Sequence, residues 1–393
     1  MLLEKKFLIK SNMKQKNTFR FKYCKICLQT DTRPQSKFTE QGICPACSYY
    51  LTTKEIDWDQ RLQILKDFVA KNKTSKFYDG VLGVSGGKDS TRQALWLREK
   101  LNLNPLLVCL AYPPEQVTDR GCENISNLIE LGFDVIIESL APKTWKSIMK
   151  SCFDDDANWC KASEQALKSS AIKVAIRKKI KIVFWGENSA LQLGDLKTKG
   201  RSGWDGNNNR YTNTLKGADM KWILDYGYDY KDVFSYEYPK EEDFKKNKIQ
   251  IIYMGWFLKD WSLANNGSYA ILSNLEIRTD KPENTGDLYG TTSLDEDWVT
   301  LNQMIKYYKY GFGRASDYVN EEIRIGNLSR ELAVEFVNKY DGKCSDKYIS
   351  SFCKYLGISK QYFWKKIKSV TNKRLFKINN SKIRKNFKVG VGY

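Results

Sequence analysis

The sequence contains no histidine among its 393 residues. This absence excludes Ser-His-Asp and Cys-His catalysis, an imidazole general base and any metal site with a histidine ligand. Long apolar runs are also missing, since no window approaches the roughly 18 uncharged apolar residues of a transmembrane helix. The apolar N-terminus is interrupted by Glu4, Lys5 and Lys6, so no signal peptide is predicted. We therefore expect a cytoplasmic protein with reduced thiols and no membrane partner.

The formal net charge is +19, which first suggests nucleic acid as a partner. The distribution of the charge argues against that interpretation. Residues 1–22 carry seven Lys/Arg and one Glu, and residues 371–393 carry seven Lys/Arg and no acid, so the two ends hold +13 of the total. We interpret both ends as flexible basic tails that could bind an acidic partner or keep the protein soluble. Nucleic acid is not expected as a partner.

Apolar strand-like runs alternate with helical stretches between about residues 79 and 255. The runs are 79–85, 105–111, 134–140, 181–186 and 249–254. Strands separated by helices of this length predict βαβ units, a parallel sheet and an α/β fold. From about residue 256 the pattern is mainly helical, and Ser329 and Ser359 are placed to cap two helices.

Four cysteines form two Cys-x-x-Cys pairs with sixteen residues between them: Cys24, Cys27, Cys44 and Cys47. Each pair can direct two thiolates into one tetrahedral site, and four sulfurs without histidine suit Zn²⁺. We predict a structural zinc site that holds a segment too small to fold alone. The alternatives are redox pairs or free thiols and an iron–sulfur cluster.

A glycine-containing loop, Ser85–Ser90, follows the first predicted strand and opens a helix. Parallel α/β sheets bind ligands at this position. Gly86 and Gly87 let the backbone approach a phosphate, toward which the first N–H groups of the helix point. Lys88 adds a positive charge, whereas Asp89 would repel phosphate unless Mg²⁺ lies between them. The loop is not a Walker A motif. It predicts nucleotide binding, and a plain capped turn is the alternative.

The sequence SGGKDS resembles the PP-loop of ATP pyrophosphatases, which split ATP into AMP and pyrophosphate while adenylating a substrate. That superfamily implies a five-stranded parallel sheet of the adenine-nucleotide hydrolase-like kind. Residues 23–375 also resemble the N-acetyl sugar amidotransferases of bacterial surface-glycan biosynthesis. The resemblance rests on the four-cysteine ribbon, Trp185-Gly186-Glu187-Asn188, and residues 309–317, 323–326, 329–331 and 356–358. The chain departs from the family at the position after Asp317, where the family often has histidine and this sequence has Tyr318.

The resemblance implies that ATP activates the acetamido group of a nucleotide-activated sugar, and that ammonia then converts the group to an acetamidino group. The sugar would serve pseudaminic or legionaminic acid synthesis, lipopolysaccharide biosynthesis or flagellin glycosylation. ATP, Mg²⁺ and Zn²⁺ are the implied cofactors. The implied nucleotide-binding residues are Ser85, Gly86, Gly87, Lys88, Asp89, Ser90, Gly186 and Asn188, with Lys88, Asp89 and Glu187 catalytic. Glu187 could equally cap its own helix.

Three arginines are candidate substrate ligands, because guanidinium groups pair with the carboxylates and phosphates of acidic nucleotide sugars. They are Arg314, Arg324 and Arg330. Surface salt bridges are the alternative. Ammonia would come from a separate glutaminase or be free ammonia. A triad-type glutaminase needs histidine, and an N-terminal-nucleophile enzyme needs cysteine where Leu2 stands.

Five regions are predicted. They are a basic tail (1–22), a four-cysteine zinc ribbon (23–50), a PP-loop ATP pyrophosphatase domain (51–255), a mainly helical substrate-binding region (256–370) and a second basic tail (371–393). The Gly- and Asn-rich stretch around Asp205 could cover the site as a lid.

Two other functions fit parts of the sequence. A tRNA-modifying PP-loop enzyme, thiolating or lysidine-synthetase-like, fits the charge and the ribbon, but the other six cysteines form no Cys-x-x-Cys pair. A non-enzymatic nucleic-acid binder could use residues 345–370 as a helix-turn-helix. There, Phe363 and Ile367 indicate a packed face instead.

Overall fold

The computed structural model describes residues 22–186, 200, 202–212, 214–379 and 382–392. Its centre is a five-stranded parallel sheet with the strand order β3-β2-β1-β4-β5. The strands are β1 (Gly80–Val84), β2 (Pro105–Ala111), β3 (Val135–Ser139), β4 (Ile182–Trp185) and β5 (Gln250–Tyr253). The predicted strands, the parallel sheet and the α/β class are confirmed. Since the chain moves outward from β1 to β3 and then crosses to β4, the loop after β1 lies where the strand order reverses.

Helices of seven or more residues surround the sheet and continue beyond it. They are α1 (Pro45–Thr52), α2 (Trp58–Asn72), α3 (Lys88–Leu101), α4 (Asp119–Glu130), α5 (Pro142–Asp156), α6 (Lys161–Arg177), α7 (Glu241–Asn247), α8 (Leu263–Ile271), α9 (Val299–Tyr310), α10 (Arg314–Ile325), α11 (Arg330–Tyr340), α12 (Asp346–Leu356) and α13 (Lys360–Val370). Four-residue helices lie at Lys221–Leu224, Tyr230–Val233 and Pro282–Thr285. No helix among the described ranges is long and apolar enough to cross a membrane.

Apolar side chains cover both faces of the sheet. Leu82 and Val84 of β1 pack with residues of α2, α3 and α4 on one face, and Val81 packs against α6 on the other. Successive strand residues point to opposite faces, so a strand buried on both sides needs a continuous apolar run rather than an alternating pattern. This explains why the strands were readable as short apolar runs.

The helical C-terminal region has a core of its own that also includes α5. Phe153 of α5 packs against Phe352 and Phe363, with ring centroids 5.5 and 5.6 Å apart. The two predicted helix caps are confirmed. Ser329 Oγ accepts the Leu332 N–H at 3.2 Å, and Ser359 Oγ accepts the Tyr362 N–H at 3.1 Å.

The C-terminal segment that was interpreted as a flexible tail is folded. This holds for the part of it that the structure describes. Strands β6 (Phe376–Asn379) and β7 (Lys382–Lys385) form an antiparallel hairpin. Leu375, Phe376, Phe387 and Val389 are buried against Tyr23, Leu28 and residues of α10 and α11. The flexible-tail interpretation is therefore wrong for this segment, because its few apolar residues complete a core whose other members are distant in sequence. Residues 1–21 of the predicted N-terminal tail (1–22) lie outside the described residues.

The stretch around Asp205 follows the free edge of β5. The Tyr253 N–H donates to the Trp204 carbonyl at 2.9 Å, and the Gly206 N–H donates to the Ile251 carbonyl at 2.8 Å. Asp205 forms an antiparallel bridge with Ile252. This part of the predicted lid is thus attached to the sheet edge.

Candidate functional site

The glycine loop joins β1 to α3 at the carboxyl end of the central strand. Gly86 has a φ of +72°, and a Cβ there would lie 2.9 Å from Asn124 Cβ, so both conformation and space favour glycine. Gly87 is the N-cap of α3 and provides no side-chain cap. Because the first N–H groups of a helix have no partner within the helix, this N-terminus can receive an anion.

Lys88 and Asp89 form an ion pair at the start of α3. Lys88 Nζ lies 2.6 Å from Asp89 Oδ2, and Asn266 Nδ2 donates to Asp89 Oδ1 at 2.7 Å. The Lys88 side chain is 4% exposed and that of Asp89 is 34% exposed. The Asp89 carboxylate is therefore accessible to a cation, and an oxygen donor of this kind fits Mg²⁺.

The loop opens onto a cavity of about 710 Å³. The predicted residues that line it are Ser85, Gly87, Lys88, Asp89, Ser90, Gly186 and Arg314. Gly86 shapes the loop without lining the cavity. Glu187 and Asn188 lie outside the described residues. Asp205 is not among the lining residues, in keeping with its position at the sheet edge.

The other two predicted substrate ligands lie at the cysteine cluster instead of the cavity. Arg330 Nη1 donates to the carbonyl oxygens of Cys24, at 3.1 Å, and of Cys27. Burial alone would lower the pKa of Arg324, but the nearby Cys27, Cys47 and Glu321 outweigh it and raise that pKa. Arg330 therefore holds the backbone of the first cysteine pair, a long-range contact that the sequence pattern did not reveal.

The four predicted metal ligands come together. All four Sγ atoms lie within 4.8 Å of one another and the residues are buried. Cys27 Sγ and Cys44 Sγ are 3.7 Å apart, close to the roughly 3.8 Å between sulfurs of a tetrahedral site with Zn–S bonds of about 2.3 Å. The Cys44 N–H donates to Cys24 Sγ at 3.2 Å. Hydrogen bonds from the other thiols, with Cys27 the strongest, lower the pKa of Cys24. The donor set and its spacing are compatible with zinc.

A half-buried cationic cluster that lines the same cavity was missed by sequence reasoning. Arg33, which lies between the two cysteine pairs, donates to Asp317 Oδ1, and Lys306 Nζ donates to Asp317 Oδ2 at 2.8 Å. The Arg33 guanidinium also lies 4.4 Å from the ring centroid of Phe312. Burial opposes ionisation of Asp317, but Lys306 and Arg33 outweigh it and lower the pKa of that carboxyl. Arg33 and Lys306 both line the cavity.

Two consecutive acids, Asp295 and Glu296, line another part of the cavity. Burial raises the pKa of Asp295 to about 6 and that of Glu296 to about 8. The Gln116 amide donates to Glu296 Oε2 at 3.4 Å. Both carboxyls can therefore exchange protons near neutral pH. The sequence Asp295-Glu296-Asp297 looks like a solvated acidic run, so nothing local marks its burial.

Residues 283–389 match the family model described as "LPS biosynthesis protein WbpG-like, C-terminal domain". The match supports a family of LPS-sugar biosynthesis proteins. The matched segment includes the cavity wall of α9 and α10, both acids and the C-terminal hairpin. It fits a sugar-modifying role and indicates an enzyme. No curated protein matches the chain.

Proposed function

We propose that the protein is an ATP-dependent amidotransferase of the PP-loop type, which converts an acetamido group of a nucleotide-activated bacterial surface sugar into an acetamidino group. One observation carries this proposal. The loop Ser85–Ser90 and the WbpG-like segment line the same cavity. A nucleotide at the loop and a sugar on the WbpG-like segment would therefore share one cavity.

The reaction needs ATP because an amide carbon is a poor electrophile. In the proposed sequence the amide oxygen attacks the α-phosphorus of ATP, pyrophosphate leaves, and an O-adenylated imidate forms. Ammonia then adds to the imidate carbon, the C–O bond breaks, and AMP departs with the oxygen. The resulting amidine is protonated at neutral pH. The protein has to position the reactants, neutralise charge and exclude water, and none of these tasks requires histidine.

The chain's own residues suit these tasks. The N–H groups at the start of α3 and the Lys88 ammonium would hold the pyrophosphate group. Asp89 would hold Mg²⁺, which supplies further neutralisation of the phosphates. Asp295, with a pKa of about 6, would provide negative charge beside the amidinium that develops on the sugar, whereas Glu296, with a pKa of about 8, would be mostly protonated at neutral pH and could donate a hydrogen bond. Arg314 is the one predicted substrate arginine whose position supports contact with the sugar nucleotide.

Ammonia would come from a separate glutaminase, because the chain has no histidine for a glutaminase triad. This part of the proposal has its own test. Glutamine-dependent turnover by the purified chain alone, with ammonia scavenged, would contradict it.

The function is tested by incubating the protein with ATP, Mg²⁺, ammonia and a panel of diacetamido nucleotide sugars. Mass spectrometry should show a product lighter by the exchange of O for NH, together with AMP. The variant Asp89→Asn should form neither product, while Asp67→Asn, an exposed change on α2, should behave as wild type.

If no sugar shifts in mass and tRNA is modified instead, the tRNA-modifying alternative is correct. Cys160, which lines the cavity, gives that alternative little support, because burial raises the pKa of its thiol.

A further inference from the structure

The cavity has a second concentration of positive charge apart from the phosphate loop. Arg33, Lys306 and Arg314 line it, and Asp317 is shared between the first two. Burying like charges together is costly unless a counter-ion accompanies them. Asp317 is the one carboxylate within ion-pair distance of any of these three cations among the described residues, and burial opposes ionisation of the nearby Asp341, so the cluster can accept an anion.

The hydrogen-bonding capacity of these cations is not exhausted. Arg33 Nε is buried and has no hydrogen-bond partner. Arg314 makes no hydrogen bond or ion pair with any residue in the part of the chain that the structure describes. A buried guanidinium donor without a partner is costly, and a bound phosphate group would satisfy it with a charge-assisted hydrogen bond.

The position of Arg33 depends on the four-cysteine segment. Thr32 Oγ1 donates to the Tyr310 carbonyl at 2.6 Å, which attaches the loop between the cysteine pairs to the end of α9. The Leu28 N–H donates to Asn320 Oδ1 at 2.7 Å, and Arg330 holds the first cysteine pair from α11. The segment is therefore docked on α9, α10 and α11 through residues that directly precede Arg33, and these contacts fix where Arg33 enters the cavity lining.

We infer that Arg33, Lys306 and Arg314 form a second anion site, which binds the diphosphate of a nucleoside-diphosphate sugar while the phosphate loop binds ATP. The site deepens the proposed function and rests on it for the identity of the second substrate. Two polyanions repel each other in a shared cavity, so each needs its own set of cations. The cysteine segment is thus part of the substrate site as well as a structural element.

Direct binding tests this inference without any turnover. Isothermal titration with UDP and GDP, and separately with ATP and Mg²⁺, is compared for the wild type, Arg33→Gln and Arg314→Gln. Each variant should weaken nucleoside-diphosphate binding at least about tenfold, because a charge-assisted hydrogen bond is lost. ATP binding should stay within about twofold, since the loop is unchanged. Lys37→Gln removes an exposed cation from the same segment and should leave both affinities unchanged.

Three outcomes would overturn the inference. They are no binding of UDP or GDP by the wild type, unchanged affinity in both variants, and an equal loss of ATP and nucleoside-diphosphate affinity. The last result would mean that the cluster serves the ATP phosphates. Arg314→Gln protects the test against misfolding, since that side chain makes no hydrogen bond with the described residues and the variant loses only its electrostatic attraction to Asp317. Failure of the amidination reaction would leave these binding results intact, so the two proposals can fail separately.

Discussion

The two sides of the cavity are built in different ways. The loop side uses consecutive residues, Ser85–Ser90, which a buried strand and a helix place, and Asn266 adds a long-range hydrogen bond to Asp89. The other side, called the wall below, combines Arg33, the pair Asp295 and Glu296, and residues of α9 and α10. Arg33 and Asp317 are 284 residues apart in the chain. A change within the loop is therefore the most direct way to damage the loop side, whereas the wall can also be lost through a change far from the cavity.

The largest expected effect comes from Cys44→Ser, which should break the wall and spare the loop side. Removing one of four metal ligands should cost more than about 3 kcal/mol in the stability of the cysteine segment. Metal content by mass spectrometry should fall, and UDP binding should fall with it, while ATP binding persists. Cys122→Ser changes an exposed cysteine and serves as the control. Full metal content in Cys44→Ser would contradict the assignment of this ligand.

Gly86→Ala should break the loop side and spare the wall. A left-handed φ of +72° and a Cβ 2.9 Å from Asn124 Cβ combine conformational strain with a clash, for a cost of about 2–3 kcal/mol. ATP-dependent pyrophosphate release should be lost. Gly357→Ala is a matched control, because its φ is +68° but nothing lies within 4 Å of the added Cβ. It should cost only about 1 kcal/mol and preserve activity; equal activity losses would refute the explanation.

The buried acids of the wall should make stability depend on pH. Burial raises the pKa of Glu296 from 4.5 to about 8, so the folded state holds this proton more tightly than the unfolded state. The associated stability is complete below about pH 4.5 and is lost as the pH rises toward about 8. Glutamine does not titrate, so the variant Glu296→Gln should not show this loss of stability as the pH rises. The variant should be close to the wild type in free energy of unfolding at pH 5 and exceed it at pH 8 by up to about 4 kcal/mol.

The exposed Glu331→Gln is the control for that comparison and should follow the wild type at both pH values. A constant offset between Glu296→Gln and the wild type would indicate a packing effect and not a titration.

The smallest effect is expected from Ser329→Ala, which removes the cap of the helix that carries Arg330. Loss of this cap should cost about 1 kcal/mol in the free energy of unfolding, measured by chemical denaturation. Ser329→Asp retains a capping oxygen and should restore most of the lost free energy of unfolding. If Ser329→Ala also lowers metal content, α11 transmits strain to the cysteine cluster through Arg330.

Features built from residues close together in the chain could be predicted from the sequence, and features built from distant residues could not. All five strands, the glycine loop, the two serine caps and the four-cysteine cluster depend on residues close together in the chain or on a known spacing, and each was recognisable. Arg330 was assigned to substrate because a guanidinium suggests an anion, but its partners are carbonyls about 300 residues away. Arg33 and Glu296 look like ordinary surface charges, and only the packing of distant segments places them in the cavity lining.

The C-terminal hairpin failed as a prediction for a related reason. Lysines and asparagines dominate residues 371–392, and Leu375 and Phe376 are too few to form a core by themselves. They are buried because Tyr23 and residues of α10 and α11 supply the rest of the cluster. Composition describes how much apolar surface a segment has, but not what other segments bring to it.

The contact between Arg330 and the first cysteine pair also constrains the order of folding. The cysteine segment is synthesised well before the residues that receive it, which are 306 positions later in the chain. Its docking surface is therefore complete only after α11 and the hairpin have formed, and closing so long a loop is entropically costly before other contacts exist. The cysteine segment therefore docks only after the later residues have folded. Until it docks, Arg33 does not line the cavity.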